Sequence, residues 1–412
     1  MKKILSCLLV TCGTSQLFAG GFQLNVQSAR SLGLGGANAG FSWGTESVFF
    51  NPGGMCNLKG HNFTFGGSYI MPLVSLQTPS TDNINQTSPN STPIHFYYGG
   101  EIIDNLYAGL SINNQFGSSS SFEDDWEGRF IVQNITLKTF TFQPTVAYKI
   151  HDYISIGAGF MYTTGNFAIE KAVPVGSTEF DYGKAKLSGS GTAMGFNAGI
   201  FSTLLDNDHY RITFGASYRS GQTISLDEGT AEFSDIPVSL QGTFPASTSF
   251  TGELKLPSVI STGISAQYKI NDKNKLTLVY DFNYTGWSSY DTLAFDFDNT
   301  DTPDSKTTKA WENTPTHRFG LEYALNDMFF FRAGGYYDVT PIQDGFVSPE
   351  LPDQTQFVPT FGFGMMIKDH VGFDIAWIHQ DTERESDLTD AGFTAKYHRV
   401  ADVITFSATI KF

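Results

Sequence analysis

The sequence predicts an all-β fold: an antiparallel transmembrane β-barrel of about 14 strands with an N-terminal hatch, or plug, inside the lumen. Three observations predict it. Apolar and polar residues alternate with period two along many segments, giving each strand one face suited to lipid and one suited to a polar interior. The chain is rich in Phe (37), Tyr (18) and Gly (42) yet only 16% charged, which is how outer-membrane barrels read. Short polar turns alternate with long polar loops, as in barrels that turn briefly on one side of a membrane and widely on the other. A soluble sandwich shares the period; strand length and turn pattern separate the two.

Residues 1–19 read as a signal peptide: basic Lys2-Lys3, a short apolar run, and Leu17-Phe18-Ala19 as a small-residue cleavage site. Cleavage after Ala19 leaves 393 residues (412 − 19) and changes the formal charge from −16 to −18. No later apolar run is long enough for a transmembrane helix. The acidic balance disfavours nucleic acid as a partner. Much of the acid lies in expected loops such as Glu123-Asp124-Asp125 and 296–304. Those loops read first as a solvated cell surface and second as divalent-cation bridges to lipopolysaccharide. Cys7 and Cys12 leave with the signal, so Cys56 has no partner for an intramolecular disulfide.

Residues 20–60 have neither a helical nor a strand period. They are dense in Gly and Ser, yet carry Phe22, Leu24, Phe41, Trp43, Val48, Phe49 and Phe50. A stretch so flexible and so apolar is no solvated linker, because its aromatics need a surface to bury against. Lodged in a barrel, Phe22, Leu24, Phe41, Trp43, Val48 and Phe49 either line an apolar pocket or pack the plug to the wall. The residues allow both. Asn51-Pro52-Gly53 reads as a sharp turn: Pro fixes φ, and Asn bonds its own backbone.

From residue 61 to 412 the alternation takes over. Phe140, Phe142, Val146 and Tyr148 alternate with Thr139, Thr141, Gln143, Thr145 and Ala147; Leu276, Leu278, Tyr280 and Phe282 alternate with Thr277, Val279 and Asp281. Six short turns are expected at Asp104-Asn105, His151-Asp152, 206–209, 271–274, Asn326-Asp327 and 368–370. Seven long loops are expected at 79–93, 118–129, 172–191, 226–251, 295–309, 340–356 and 381–396. Six turns and seven loops need about fourteen strands, an even number that leaves both chain ends in the periplasm. The third strand, 106–115, reaches Gly117, and a glycine there marks a bulge or kink.

Gly21-Phe22-Gln23-Leu24-Asn25 after a signal peptide, the Gly-rich run that follows, and Asn51-Pro52-Gly53 resemble the N-terminal hatch of the FadL/TodX family of outer-membrane hydrophobic-compound transporters. The resemblance continues through 187–200, Tyr218-Arg219-Ser220, Leu256-Pro257-Ser258, Leu351-Pro352-Asp353 and the final Phe412. Gly53 stands where the family usually has Ala, and Trp311-Glu312 stands where it often has Lys. The resemblance implies passive uptake of long-chain fatty acids or related hydrophobic molecules across the outer membrane of a Gram-negative bacterium, without a cofactor. It implies that Asn51-Pro52-Gly53 faces a break in the third strand near Gly117 and gates a lateral exit there. It makes Lys171 a partner for a fatty-acid carboxylate, against the plainer reading of a solvated strand end. Phe412, on a last strand with apolar residues at every second position, resembles the signal read by the barrel assembly machinery.

A lateral exit has an energetic reason. Exposing a methylene to water costs about 0.8 kcal/mol, so releasing a chain of roughly sixteen carbons into the periplasm would cost on the order of 12 kcal/mol. Two other readings of the barrel remain: an aromatic-hydrocarbon channel, and a surface adhesin or structural barrel. Enzymatic chemistry is disfavoured. Residues 33–38 fail a dinucleotide fingerprint at its last glycine, no nucleophile elbow has plausible partners, and the eight His lack metal-ligand spacing.

Overall fold

The computed structural model describes residues 20–176 and 181–412; the expected signal peptide, 1–19, lies outside the described residues. Fourteen antiparallel strands form a closed ring. They are β1 His61–Gln77, β2 Ile94–Ile103, β3 Leu106–Asn113, β4 Asn134–His151, β5 Ile154–Pro174, β6 Tyr182–Asp206 and β7 Tyr210–Arg219. They continue as β8 Val259–Lys269, β9 Lys275–Thr285, β10 Thr314–Leu325, β11 Phe329–Asp338, β12 Gln356–Ile367, β13 Val371–Leu388 and β14 Phe393–Lys411. Each pairs with the next, and β14 closes on β1 in register from Asn62 against Lys411 to Gln77 against Lys396. Closure removes the two terminal edges an open sheet would expose to lipid.

The burial pattern is that of a soluble protein turned inside out. On β4, Thr139, Thr141, Gln143 and Thr145 are buried, while Phe140, Phe142, Val146 and Tyr148 are exposed. The same inversion holds on β14, where Thr405 and Ser407 are buried and Ile404 and Phe406 are exposed. Outward side chains therefore meet lipid, and inward ones form a polar lumen. No helix among the described residues is long and apolar enough to cross a membrane.

All six short turns lie where the sequence puts them. Asn326-Asp327 and Lys368-Asp369 have positive φ at both residues (52–57° and 51–60°), as the central pair of a type I′ turn requires. The long loops are shorter than expected, because strand ladders run on through polar sequence. The 381–396 stretch, expected as loop, is mostly hairpin, paired up to Leu388 against Phe393 and clasped by Lys396 to Glu383 at 2.8 Å. Outside the membrane span, both faces of a strand can be polar, so alternation stops marking it. Further strands, Gln222–Ser234, Ser247–Leu256, Thr292–Phe297 and Ser305–Thr308, extend the wall at the long-loop end.

Residues 20–60 touch the inward faces of strands all round the ring, which a short segment can do only from within. Ala29 N–H donates to Ser407 on β14, Gly35 N–H to Thr360 on β12, and Arg30 to Glu322 on β10. Thr213 on β7 donates to Gly40 O, Gln143 on β4 to Val48 O, and Tyr97 on β2 to Gln27 O. Locally the segment makes two single-turn helices, Ala29–Leu32 and Ser47–Phe50, then a 3-10 turn, Pro52–Asn57. Ser28 caps the first by accepting from Ser31 N–H. Asn51 caps the last by accepting from Gly53 N–H, with Pro52 at its opening position, where a missing N–H costs nothing.

Candidate substrate passage

The ladder of the third strand is interrupted. Asn113 pairs with Thr141 on β4, and pairing resumes at Gly117 against Lys138, so four steps on one strand face three on the other. One extra residue is accommodated, and Asn114, Gln115 and Phe116 leave the β4 ladder. Thr139 fills in: its hydroxyl bonds the Phe116 backbone at 2.7 Å, and Asn114 Nδ2 donates to Thr139 O at 2.6 Å. On the other flank, β2 follows β3 only as far as His95 against Asn113. The outer piece, Gly117–Ser121, pairs with β4 alone among the strands.

The N-terminal segment occupies the inner side of this interruption. Leu24 N–H donates to Gln115 O at 2.9 Å and Gly117 N–H to Phe22 O at 3.0 Å, making Gln23 and Phe116 an antiparallel bridge. Phe22 then enters a nest of rings. Its centroid lies 4.9 Å from Trp287, 5.2 Å from Tyr290, 5.5 Å from Trp311 and 5.9 Å from Phe116, mostly edge to face. Gly21 is required beside it. Its φ is +55°, and a Cβ there would sit 2.6 Å from Trp311 and 2.9 Å from Trp287.

Above the nest, near the long-loop end, lies a cavity of ≈ 620 Å³, within the roughly 300–1,000 Å³ of small-molecule sites. Val173, Ala185, Leu187, Phe233, Phe244 and Phe297 give it apolar walls, and Lys171 lines it as well. Among the described residues the Lys171 ammonium is in no ion pair or hydrogen bond; neighbouring Glu170 pairs instead with Lys186 at 3.0 Å. Burial lowers the Lys171 pKa, and the charge of Glu350 acts against that. Glu350 itself is ion-paired with the buried Lys309. Val173, Ala185, Leu187 and Phe233 belong to the same continuous apolar cluster as Phe22, Phe116, Trp287 and Trp311. One unbroken apolar column thus joins the cavity to the interrupted strand. Below it the lumen is polar and charged: Arg332 pairs with Glu322 and Asp374 at 2.6 Å each, and Glu322 with Arg30 at 3.0 Å.

The six apolar residues singled out in the N-terminal segment do not share one pocket. Phe22 alone belongs to the aromatic nest. Leu24 packs beside Gly117 and against the Val26 cluster. Phe41 and Trp43 meet in a tilted ring contact at 4.4 Å beside Leu34 and Val279, Val48 packs with Met55, Leu58 and Tyr107, and Phe49 lies under Arg219 at 3.7 Å. Phe41, Trp43 and Val48 are therefore packing residues, and Leu24 and Phe49 border a smaller polar chamber. The expected meeting of Asn51-Pro52-Gly53 with Gly117 is also corrected. Asn51 Nδ2 donates to Ile200 O on β6, Ser155 on β5 donates to Gly53 O, and a Cβ on Gly157 would meet Pro52 at 2.6 Å. That corner packs on β5 and β6; Phe22-Gln23-Leu24 is what meets the interruption. Gly117 does sit at the break, one residue past it. Trp287, Tyr290 and Phe116 were not anticipated from sequence. They sit in polar-looking connections, where only their size hinted at burial.

Residues 10–412 match the family model described as outer membrane protein transport protein (OMPP1/FadL/TodX). The long-chain fatty acid transport protein of Salmonella typhi is 26% identical over 375 residues, covering 84% of this chain and 83% of that one. Its counterpart in Escherichia coli K12 is 23% identical over 380 residues, covering 84% of each. Among solved structures, a Pseudomonas aeruginosa FadL homologue superposes with TM-score 0.79 at 18% identity, over 95% of this chain and 100% of that one. The Pseudomonas putida toluene transporter TodX does so with TM-score 0.72 at 13% identity, over 96% and 99%. At such identities these structures speak to the fold.

Proposed function

Since this chain belongs to the OMPP1/FadL/TodX family of outer-membrane transport proteins, we propose that it carries long-chain fatty acids passively from the cell surface to the outer-membrane bilayer. The observation that carries this reading is the apolar column between the Lys171 cavity and the interrupted third strand. Loops 172–191 and 226–251 capture the cargo, its tail in the apolar cavity and its carboxylate at Lys171. The tail then descends the column to the nest. There Phe22-Gln23-Leu24, hydrogen-bonded to the interruption, is the gate; residues 20–60 act as the hatch and 61–412 as the barrel. Displacing the two backbone bonds to Phe22 and Leu24 uncovers the inner side of the stretch 114–116, which Thr139 still tethers to β4, and the tail leaves sideways past it into lipid, avoiding roughly 0.8 kcal/mol of hydration cost per methylene. The fatty-acid transport proteins named above support the cargo class. The ring nest, with edge-to-face partners for an aromatic guest, favours aromatic hydrocarbons as a second cargo.

Deleting Gln115 tests the route. Removing the extra residue lets β3 run in register onto β4 without altering the cavity. We expect uptake of a labelled sixteen-carbon fatty acid to fall at least about tenfold while binding to the purified protein persists. Undiminished uptake would rule out the lateral exit.

A further inference from the structure

A second, smaller chamber of ≈ 60 Å³ lies in the lumen beside the interruption. At 10–15 Å³ per water-sized centre, it has room for about four waters or one carboxylate group. Its walls differ from those of the outer cavity. Gln115, Asn197, Arg219, Asn283 and Arg318 all line it, and each carries a buried side-chain atom with no hydrogen-bond partner in the described chain. Such atoms cost about 1–3 kcal/mol apiece when unmatched, so their gathering on one chamber points to a polar occupant.

The charges give that occupant its sign. Arg219 donates from Nη2 to Phe49 O at 2.6 Å and stacks on the Phe49 ring, and no carboxylate of the described residues lies within ion-pair distance of it. Arg318 donates to Gly35 O and Asn25 Oδ1, likewise without a carboxylate partner among the described residues. The chamber's one acid, Asp281, is engaged elsewhere, accepting from Asn38, Ala39 and Gly40 N–H at 2.5, 2.6 and 3.2 Å. Two guanidiniums against one fully hydrogen-bonded carboxylate leave the chamber cationic, and a guanidinium is the group best shaped to hold a carboxylate. Gln115 belongs to the interrupted stretch of β3, and Leu24 borders both that stretch and the chamber.

We infer that this chamber is an anion site that takes the carboxylate of the cargo on Arg219, at the stage when the alkyl tail reaches the break in β3. The inference rests on the transport reading above, and it adds a second head-group station distinct from Lys171. The site favours acids over uncharged hydrophobes of equal length, because only the acid brings a negative charge and two acceptor oxygens to the arginine.

The test compares palmitic acid with hexadecanol on purified protein in non-ionic detergent at pH 8. In Arg219→Gln we expect affinity for the acid to fall about tenfold or more, with affinity for the alcohol within about twofold of wild type. Heat-dependent migration on gels confirms that the variant barrel is assembled. Should Arg219→Gln fail to assemble, Arg219→Lys serves instead: it keeps the charge but not the fork, and acid binding should weaken severalfold with the alcohol unaffected. Equal losses for acid and alcohol, or no loss for the acid, would overturn the inference and leave the transport reading standing. A wild-type protein that binds neither molecule would overturn both.

Discussion

Asp281 ties residues 20–60 to the wall by accepting from the backbone at 38–40. Replacing Asp281 by Asn keeps the shape and removes the charge. Two of the three bonds, at 2.5 and 2.6 Å, are short, and the third is 3.2 Å. A hydrogen bond to a charged group contributes about 1.5–3 kcal/mol net. The amide keeps one acceptor oxygen but turns an N–H₂ toward the same donors. Taking the two short bonds as the main loss, and allowing for non-additivity, the segment should come undocked more easily by about 3–4 kcal/mol. At 1.4 kcal/mol per tenfold, that multiplies the undocked fraction by roughly 100–1,000. The protein carries its own reporter. Cys56 lies in the same segment, is only 4% exposed, and is the single cysteine beyond residue 19. Its rate of maleimide labelling in detergent follows the undocked population when closing is faster than labelling. Asp281→Asn should raise that rate by two to three orders of magnitude while the barrel still migrates as folded. A rate within about threefold of wild type would refute the reasoning, showing that the Asp281 contact does not hold the segment in place.

Other outcomes follow from the same geometry. Gly21→Ala forces both φ and the Trp311–Trp287 contact, so Phe22 should leave its nest; tryptophan fluorescence should shift to the red and Cys56 labelling should rise. Lys171→Met should weaken fatty-acid binding about tenfold and leave the alcohol unchanged. The Lys171 contribution also has a sign in pH. Burial lowers its pKa, so raising pH strips its charge earlier than for a free lysine; acid affinity should decline there in wild type but stay flat in Lys171→Met, as read by titration calorimetry. Removing Phe412, which packs edge-on to Phe63 at 5.9 Å, should lower the amount of protein assembled in the outer membrane, measured by fractionation.

The barrel was legible because its signals are local. Asn326-Asp327 and Lys368-Asp369 can hardly be anything but tight hairpins, and alternation such as that from Thr139 to Tyr148 has one stable outcome when both faces are that distinct. What stayed hidden depends on closure. Phe22 meets Trp287 and Trp311 only because the ring brings the start of the chain and two distant connections together. Asn51-Pro52-Gly53 announces a turn, but nothing in three residues says which wall the turn will rest on; small residues at Gly157 and Gly199 decide that. Gly117 flagged irregularity in the third strand, yet the extra residue becomes countable only when Asn113 and Gly117 are set against Thr141 and Lys138. The long loops were overestimated for a related reason: outside lipid, a paired strand such as 381–388 needs no apolar face.

In the function proposed here, apolar cargo runs down one column, from the Lys171 cavity to the broken strand. The most direct measurement is anomalous diffraction from crystals soaked with a fatty acid brominated at its terminal carbon. The account predicts bromine peaks among Leu187, Phe233, Phe22 and Phe116. Bromine confined to the polar lumen around Glu322 and Arg332, or only to the outer lipid-facing wall, would contradict it.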